Sequence, residues 1–350
     1  MTGSWRDRSL LDLLTEFGLE LLPEHDFPTD GWSGATFSSL VDTDGRRFVL
    51  KRTSLEIDWI ARATGDDDLR EGWFAALPRG AAWLPKGTSP YLGAAADGDG
   101  VAILTPDLSN ELLAWERPGY DPAIDRSTLT RVIRAMARLH AMPWTRSVDA
   151  AISRGEAPMP AWCPIPERLA LLSPAAAARY AAEGNPVGER FLAGWDAFHR
   201  LAPTGAWDLI ERLDAEISPL LLALEVCPWF GLHGELKLAN VALMPDEAVA
   251  FIDWQMTMQA PVAIELGWFL VANSGSLPVG ADDVVREYRD ALDWDSGRWG
   301  AEGHPKDFAG LVGDWDLQRD LTWIVGLLLR GWRKGLDAEA GATLPSGLSA

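Results

Sequence analysis

Four residues in the segment Gly231 to Gln255 have types and spacings that could do chemistry together. Glu235 and Asn240 lie five apart with Lys237 between them, and Asp253 follows thirteen residues after Asn240 at the end of the apolar run Val249-Ala250-Phe251-Ile252. A hard divalent cation takes oxygen ligands, and Mg²⁺ usually takes one or two carboxylates or amides together with substrate phosphates. Asn240 and Asp253 would supply such oxygens if the loop and the strand end lie side by side. Glu235 suits accepting a proton from a substrate hydroxyl. Lys237 suits offsetting charge on a transferring phosphoryl group, and is equally consistent with a lysine facing solvent. His233, next to Gly234, fits orienting the loop better than acid–base work.

The first hundred residues hold complementary pieces. Lys51 ends a β-rich stretch (Phe48, Val49, Leu50), and Glu71 follows 20 residues later on a helical segment. A lysine held by such a glutamate presents its ammonium to nucleotide phosphates. Glu56 is a rival partner, only five residues after Lys51. Gly31 and Gly34 precede the strand. They serve either as turn glycines or as a hairpin whose N–H groups cover phosphates.

Those residues need elements to hold them. Leucines and Phe17 recur at helical spacing over 8–22, and Asp44-Gly45 marks a hairpin turn between β-rich runs. Residues 66–77 read as a helix, Gly93 to Gly100 as a loop, and Val101 to Leu104 as a short strand broken by Pro106-Asp107-Leu108-Ser109. Residues 127–141 read as a helix capped by Ser127. The Pro- and Trp-rich stretch 143–166 reads as irregular, 176–183 and 206–225 as helices, Val249 to Ile252 as a buried strand, and the chain beyond 262 as helical with loops at 274–281 and 295–306. A strand-rich first part followed by a helix-rich remainder is an α+β pattern of two lobes: an N-lobe over 1–105, a hinge over 106–110, and a helical C-lobe over 111–350 carrying the loop 231–240.

Bulk properties narrow the partners. The 350 residues carry a formal charge of −20, which repels nucleic-acid phosphates and anionic membranes. The two cysteines, Cys163 and Cys227, have neither disulfide-framework nor zinc-site spacing. No segment offers about 18 uncharged apolar residues; Leu321 to Leu329 is the most apolar stretch near the C-terminus, but Arg330, Arg333 and Lys334 follow at once, so it reads as a buried helix. The N-terminus has no apolar run of a signal peptide, and the expected compartment is the cytoplasm. Oligomeric state is not legible. The 18 tryptophans are either core or pocket residues.

His233-Gly-Glu-Leu-Lys-Leu-Ala-Asn240 followed by Phe251-Ile-Asp-Trp-Gln255 resembles the aminoglycoside phosphotransferase and choline kinase-like family, whose core fold is that of protein kinases. The resemblance runs in family order from about Gly31 to Trp268. Ala137-Arg-Leu-His140-Ala141 looks like the family's helix ending in Leu-His, Val101 to Ser109 like its hinge strand, and Lys51 with Glu71 like its lysine–glutamate pair. Glu265 stands where the family has an acidic residue that props the catalytic loop, and His140 reads as structural. The resemblance implies ATP with Mg²⁺ and transfer of a γ-phosphoryl group to a hydroxyl of a small molecule. Lys51, Glu71, Gly31 and Gly34 would then serve the nucleotide, Asn240 and Asp253 the metal, and Glu235 and Lys237 the chemistry.

Two departures are visible. The family has Asp where this chain has Glu235, and the extra methylene moves the carboxylate by more than about 1 Å unless the loop adjusts, a displacement able to cost ~10²-fold in rate. A nucleotide-binding protein of weak or no turnover is therefore the second reading. The hinge has Pro106, which lacks an N–H. That leaves the backbone of Thr105 and Asp107 to meet the base, and leaves GTP open beside ATP.

Overall fold

A computed structural model describes residues 4–20, 33–77, 84–113, 123–154, 162–299 and 308–341. Gly31 lies outside these residues. In chain order the elements begin with α1 (Leu10–Glu16), β1 (Thr36–Val41), β2 (Arg47–Thr53), α2 (Trp59–Ala63), α3 (Arg70–Ala75), β3 (Gly93–Asp97) and β4 (Gly100–Pro106). Then come α4 (Arg126–Ala141), α5 (Trp144–Ser153), α6 (Ile165–Ala170), α7 (Pro174–Ala182), α8 (Pro186–Leu201), α9 (Thr204–Ala215) and α10 (Ser218–Glu225). The chain ends with β5 (Phe230–Leu232), β6 (Val241–Leu243), β7 (Val249–Phe251), β8 (Met258–Ala260), α11 (Val262–Asn273), α12 (Ala281–Trp299), α13 (Phe308–Val312) and α14 (Trp315–Glu339). The fold is α+β, with a small antiparallel sheet and a larger helical part. Among the described residues no helix is long and apolar enough to cross a membrane.

Contacts divide the chain into two compact units: 1–122 with 143–163 and 238–257, and 123–142 with 164–237 and 258–350. In the first, four strands pair in the order β1-β2-β4-β3. The β1–β2 turn is tied by Asp42, whose carboxylate accepts the N–H of Asp44 at 3.0 Å and of Arg46 at 2.8 Å. Strand alternation sends Phe48 and Leu50 to one face, where they meet Leu13 and Leu14 of α1 with Leu40, Ala95 and Leu104. Lys51 therefore points to the other face. It sits inside β2, paired with Phe37 and Ile103, rather than at a strand end. A ring cluster also packs in this unit: Phe74 stacks on Trp254 at 4.0 Å, with Trp144 edge-on to Phe74 at 6.2 Å and to Trp162 at 5.6 Å. These tryptophans are packing residues.

The second unit is mostly helical. α14 packs along both α11 and α8, at glycine crossings. A Cβ on Gly267 would come within 2.6 Å of the Thr322 carbonyl oxygen, and one on Gly326 within 2.7 Å of the Gly267 carbonyl oxygen. Gly194 and Gly335 meet in the same way between α8 and α14. Only side-chain-free residues let these backbones approach so closely.

Several elements differ from the sequence expectation. The helix expected over 8–22 is the shorter α1, closed where Leu19 N–H returns to the Leu14 carbonyl at 2.9 Å. The helix over 66–77 shortens to α3, whose Arg70 N–H is held by Asp66, and α2 precedes it. The loop Gly93 to Gly100 is largely strand: β3 is built on Ala94, Ala95 and Ala96, which lack the β-branched signature but are small enough to bury against α1 and α3. Asp125 rather than Ser127 caps α4, accepting the Thr128 N–H at 2.7 Å. The stretch 143–166 contains α5 and the start of α6, since Pro at a first turn is compatible with a helix. The helix over 206–225 is two, α9 and α10, broken ahead of Pro219, and α8 was not anticipated. α12 continues to Trp299, through part of the loop expected over 295–306.

Candidate active site

In the first unit, Lys51, Glu71 and Asp253 converge. The Lys51 ammonium is 2.5 Å from Glu71 Oε2 and 3.0 Å from Asp253 Oδ1, across 202 residues of sequence in the second case. α3 presents Glu71 toward this face of the sheet, and the Glu71 side chain is 6% exposed. Burial works to lower the Lys51 pKa, but the carboxylates of Asp253 and Glu71 outweigh it and hold the ammonium well above the usual lysine range. Burial pushes Glu71 up, against the pull of Lys51.

Tyr91 completes this group and was not singled out in the sequence. Its hydroxyl donates to Glu71 Oε1 at 2.5 Å and accepts the N–H of Asp253 at 2.9 Å. Asp253 needs that anchor because its backbone is left-handed (φ 65, ψ 60), a conformation unfavourable for a residue with a Cβ. The only sequence signal was a lone tyrosine after Pro90 in a Gly/Pro-rich stretch. Asn240 comes alongside through the β6–β7 pairing, in which Val241 faces Phe251 and the Ile252 N–H bonds the Asn240 carbonyl at 3.0 Å. A neutral amide oxygen and a carboxylate at the end of one hairpin are a donor set suited to Mg²⁺.

The remaining first-unit candidates have local partners. Gly34 (φ +92) lies so close to Ile57 that a Cβ would sit 2.7 Å from the Ile57 carbonyl oxygen, so its smallness serves that turn. Thr105 sits near the end of β4 with its hydroxyl 3.3 Å from the Val49 carbonyl. The Asp107 N–H is taken by the Arg47 carbonyl at 3.0 Å, and its carboxylate holds the Arg47 guanidinium at 2.9 Å and the Ser109 N–H at 3.0 Å. Bonds from the Ser109 hydroxyl and N–H, with the Arg47 guanidinium, pull the Asp107 carboxyl below its usual range despite burial.

In the second unit, β5 leads into the loop that carries Glu235 and Lys237. Glu265, fully buried at the start of α11, accepts the N–H of Gly234 at 2.8 Å and of Leu236 at 2.9 Å, bracketing Glu235. Burial raises the Glu265 pKa, but His140, His233 and the Gly234 N–H outweigh it and keep the carboxyl below its ordinary value. His140 stands behind it, with Nε2 3.8 Å from Glu265 and Nδ1 2.6 Å from the Tyr288 hydroxyl. His233 is fully buried, and its Nδ1 accepts the Glu235 N–H at 3.3 Å, an orienting contact. Gly234 adopts φ +83, where a side chain would be strained.

Three further residues of this unit were missed. Arg168 of α6, 1% exposed, donates from Nε and from a terminal nitrogen to the Gly234 carbonyl at 3.1 and 3.0 Å. Its guanidinium lies 4.4 Å from the ring centroid of Trp268, and that of Arg330 lies 5.0 Å from the same ring. Arg168 falls just beyond a stretch that reads as irregular, and Arg330 read only as the polar end of an apolar helix. Glu235 is half-buried, as is Lys237, whose ammonium makes no hydrogen bond or ion pair among the described residues.

The pattern of the phosphotransferase enzyme family matches residues 28–299. Among solved structures, a type I macrolide 2'-phosphotransferase is 18% identical with a TM-score of 0.45, covering 98% of this chain and 99% of its own. A macrolide 2'-phosphotransferase from Brachybacterium faecium is 20% identical at 0.46, covering 97% and 99%. A choline kinase from Cryptosporidium parvum Iowa II is 10% identical at 0.49, covering 93% and 84%. The comparison with curated proteins gives no match.

Proposed function

We propose, from the premise that this chain belongs to the phosphotransferase enzyme family, that it moves the γ-phosphoryl group of ATP to a hydroxyl of a small molecule. The observation that carries this reading is the convergence of Lys51, Glu71 and Asp253 from three distant parts of the sequence. Lys51, steered by Glu71, holds nucleotide phosphates. Asn240 and Asp253 would hold Mg²⁺, which would neutralise phosphate charge as it builds up. Glu235, fixed on both sides by the Glu265 bonds to Gly234 and Leu236, orients the acceptor hydroxyl and takes its proton. Lys237, whose ammonium is uncommitted among the described residues, offsets charge on the transferring group. Most of the rate comes from positioning and electrostatics, as phosphoryl transfer requires.

The test is turnover of Mg·ATP with a panel of hydroxylated acceptors in wild type, Glu235→Asp and Glu235→Gln. A base at Glu235 predicts measurable wild-type turnover and a loss of about 10²-fold or more in the Gln variant. Nucleotide binding without turnover, restored only by Glu235→Asp, establishes instead the nucleotide-binding protein of weak activity.

A further inference from the structure

Charge around Glu235 runs against the charge of the whole molecule. The chain is strongly acidic at −20, yet among the described residues the charges that weigh most on Arg330 and its neighbour Lys334 include the cations Arg168 and Arg333 as well as Glu235 and Asp337. Within this group cations, Arg330 and Lys334 included, outnumber carboxylates. Asp337 is already taken, by Arg333 at 2.9 Å and Lys334 at 3.4 Å. Arg168 is committed to the Gly234 carbonyl. Arg330 makes no hydrogen bond among the described residues: its Nε–H is buried without a partner, as is the indole N–H of the Trp268 ring it stacks over.

Both orphans are donors with no acceptor capacity. They can be satisfied only by oxygens brought from elsewhere, and buried donors left unpaired are rare enough to call for an explanation. A water would satisfy a donor but not the surplus positive charge. Burial and Arg333 draw Arg330 down to about 10, so it stays charged at neutral pH. A polycation entering here would meet repulsion, whereas a carboxylate or phosphate would receive charge-assisted bonds from a planar guanidinium.

We propose that Arg330, stacked on the Trp268 ring it shares with Arg168, binds an anionic group of the acceptor, so that the acceptor is a hydroxylated carboxylate or phosphate ester and not a polyamine. Placing this anion on the acceptor rests on the phosphotransferase reading; the anion site itself does not.

The experiment is calorimetric titration of the protein, alone and saturated with Mg·AMP-PNP, with D-glucose, D-gluconate, D-glucose 6-phosphate and D-glucosamine, which share a polyol and differ in charge. Inorganic sulfate probes the anion without a scaffold. Wild type should bind at least one of the anions about tenfold more tightly than glucose or glucosamine. Arg330→Gln should remove that preference while leaving AMP-PNP affinity and the melting temperature in place, and Arg330→Lys should keep part of it. Glucosamine binding as well as the anions, anion binding indifferent to Arg330→Gln, or no Arg330-dependent anion binding at all would overturn the proposal. Failure of AMP-PNP to bind would count against the phosphotransferase reading, and the titration of the protein alone would still decide the anion site.

Discussion

The Tyr91 hydroxyl accepts the backbone N–H of Asp253 at 2.9 Å. The same oxygen donates to Glu71, so one phenol fixes both carboxylates that flank Lys51. Tyr91→Phe leaves the ring in place, edge-on to Phe74 at 6.2 Å, and strands the Asp253 N–H. We expect a loss of about 1–3 kcal/mol in urea unfolding. Because the left-handed Asp253 then loses its anchor, Mg·ATP turnover should fall by about tenfold or more. An equal loss of stability with unchanged turnover would confine Tyr91 to a structural role.

Lys51 is the single cation between Glu71 and Asp253 in this group. Lys51→Met keeps much of the volume and leaves two carboxylates facing each other. Removing one partner of a buried charge network costs about 3–5 kcal/mol. Without the ammonium, burial pushes the Glu71 carboxyl further up, and Asp253 loses its counter-charge beside that carboxylate. Their penalty is then absent below the unfolded carboxylate range near 4 and grows as pH rises. Thermal melts of the variant should thus approach wild type at pH 4–5 and fall furthest behind at pH 8. A deficit independent of pH would contradict this account.

Much of this arrangement was legible in the sequence, and the boundary between legible and illegible has a physical cause. Glu235, Asn240 and Asp253 stand out because a loop and a short hairpin fix their spacing locally. Lys51 and Glu71 stand out because strand and helix positions constrain their types. Tyr91, Arg168 and Arg330 act through tertiary placement alone: each is an ordinary residue until β3, α6 and α14 pack. β3 was hidden because three alanines carry no strand propensity, although their small size is what lets them bury. α5 was hidden among residues next to prolines that read as breakers.

Asp66 gives a stability prediction away from the chemistry. Its side chain is 1% exposed and pairs with Arg70 at 3.6 Å. Burial, opposed by Arg70, raises its pKa to about 6. A carboxyl raised in the folded state contributes stability that is full below its unfolded value near 4 and is lost as pH rises through the folded value. The lost contribution is about 3 kcal/mol for a shift of this size. Urea unfolding of wild type and Asp66→Asn at pH 4 and pH 7 should show wild type losing up to about 3 kcal/mol relative to the variant across that window. A difference between the two proteins that stays constant with pH would show that Asp66 titrates normally.

Glu265 has the opposite sign. Its carboxyl is held below the ordinary value, chiefly by His140 once burial is overcome, with help from His233 and the Gly234 N–H. Its contribution is therefore present above the unfolded carboxyl value and is lost as pH falls through the folded one. Glu265→Gln has one acceptor oxygen where two are used, so it can satisfy the Gly234 N–H or the Leu236 N–H but turns an NH₂ toward the other. The unpaired donor costs about 1–3 kcal/mol at neutral pH, and the gap between variant and wild type should narrow in acid unfolding below about pH 4.5. The Lys51–Glu71 pair is untouched, so AMP-PNP affinity should hold. The Glu235 loop, held by residue 265 at one point rather than two, shifts, and a displacement near 1 Å lowers turnover by ~10²-fold. Loss of nucleotide affinity in step with turnover would show instead that Glu265 supports the fold as a whole and not the placement of Glu235.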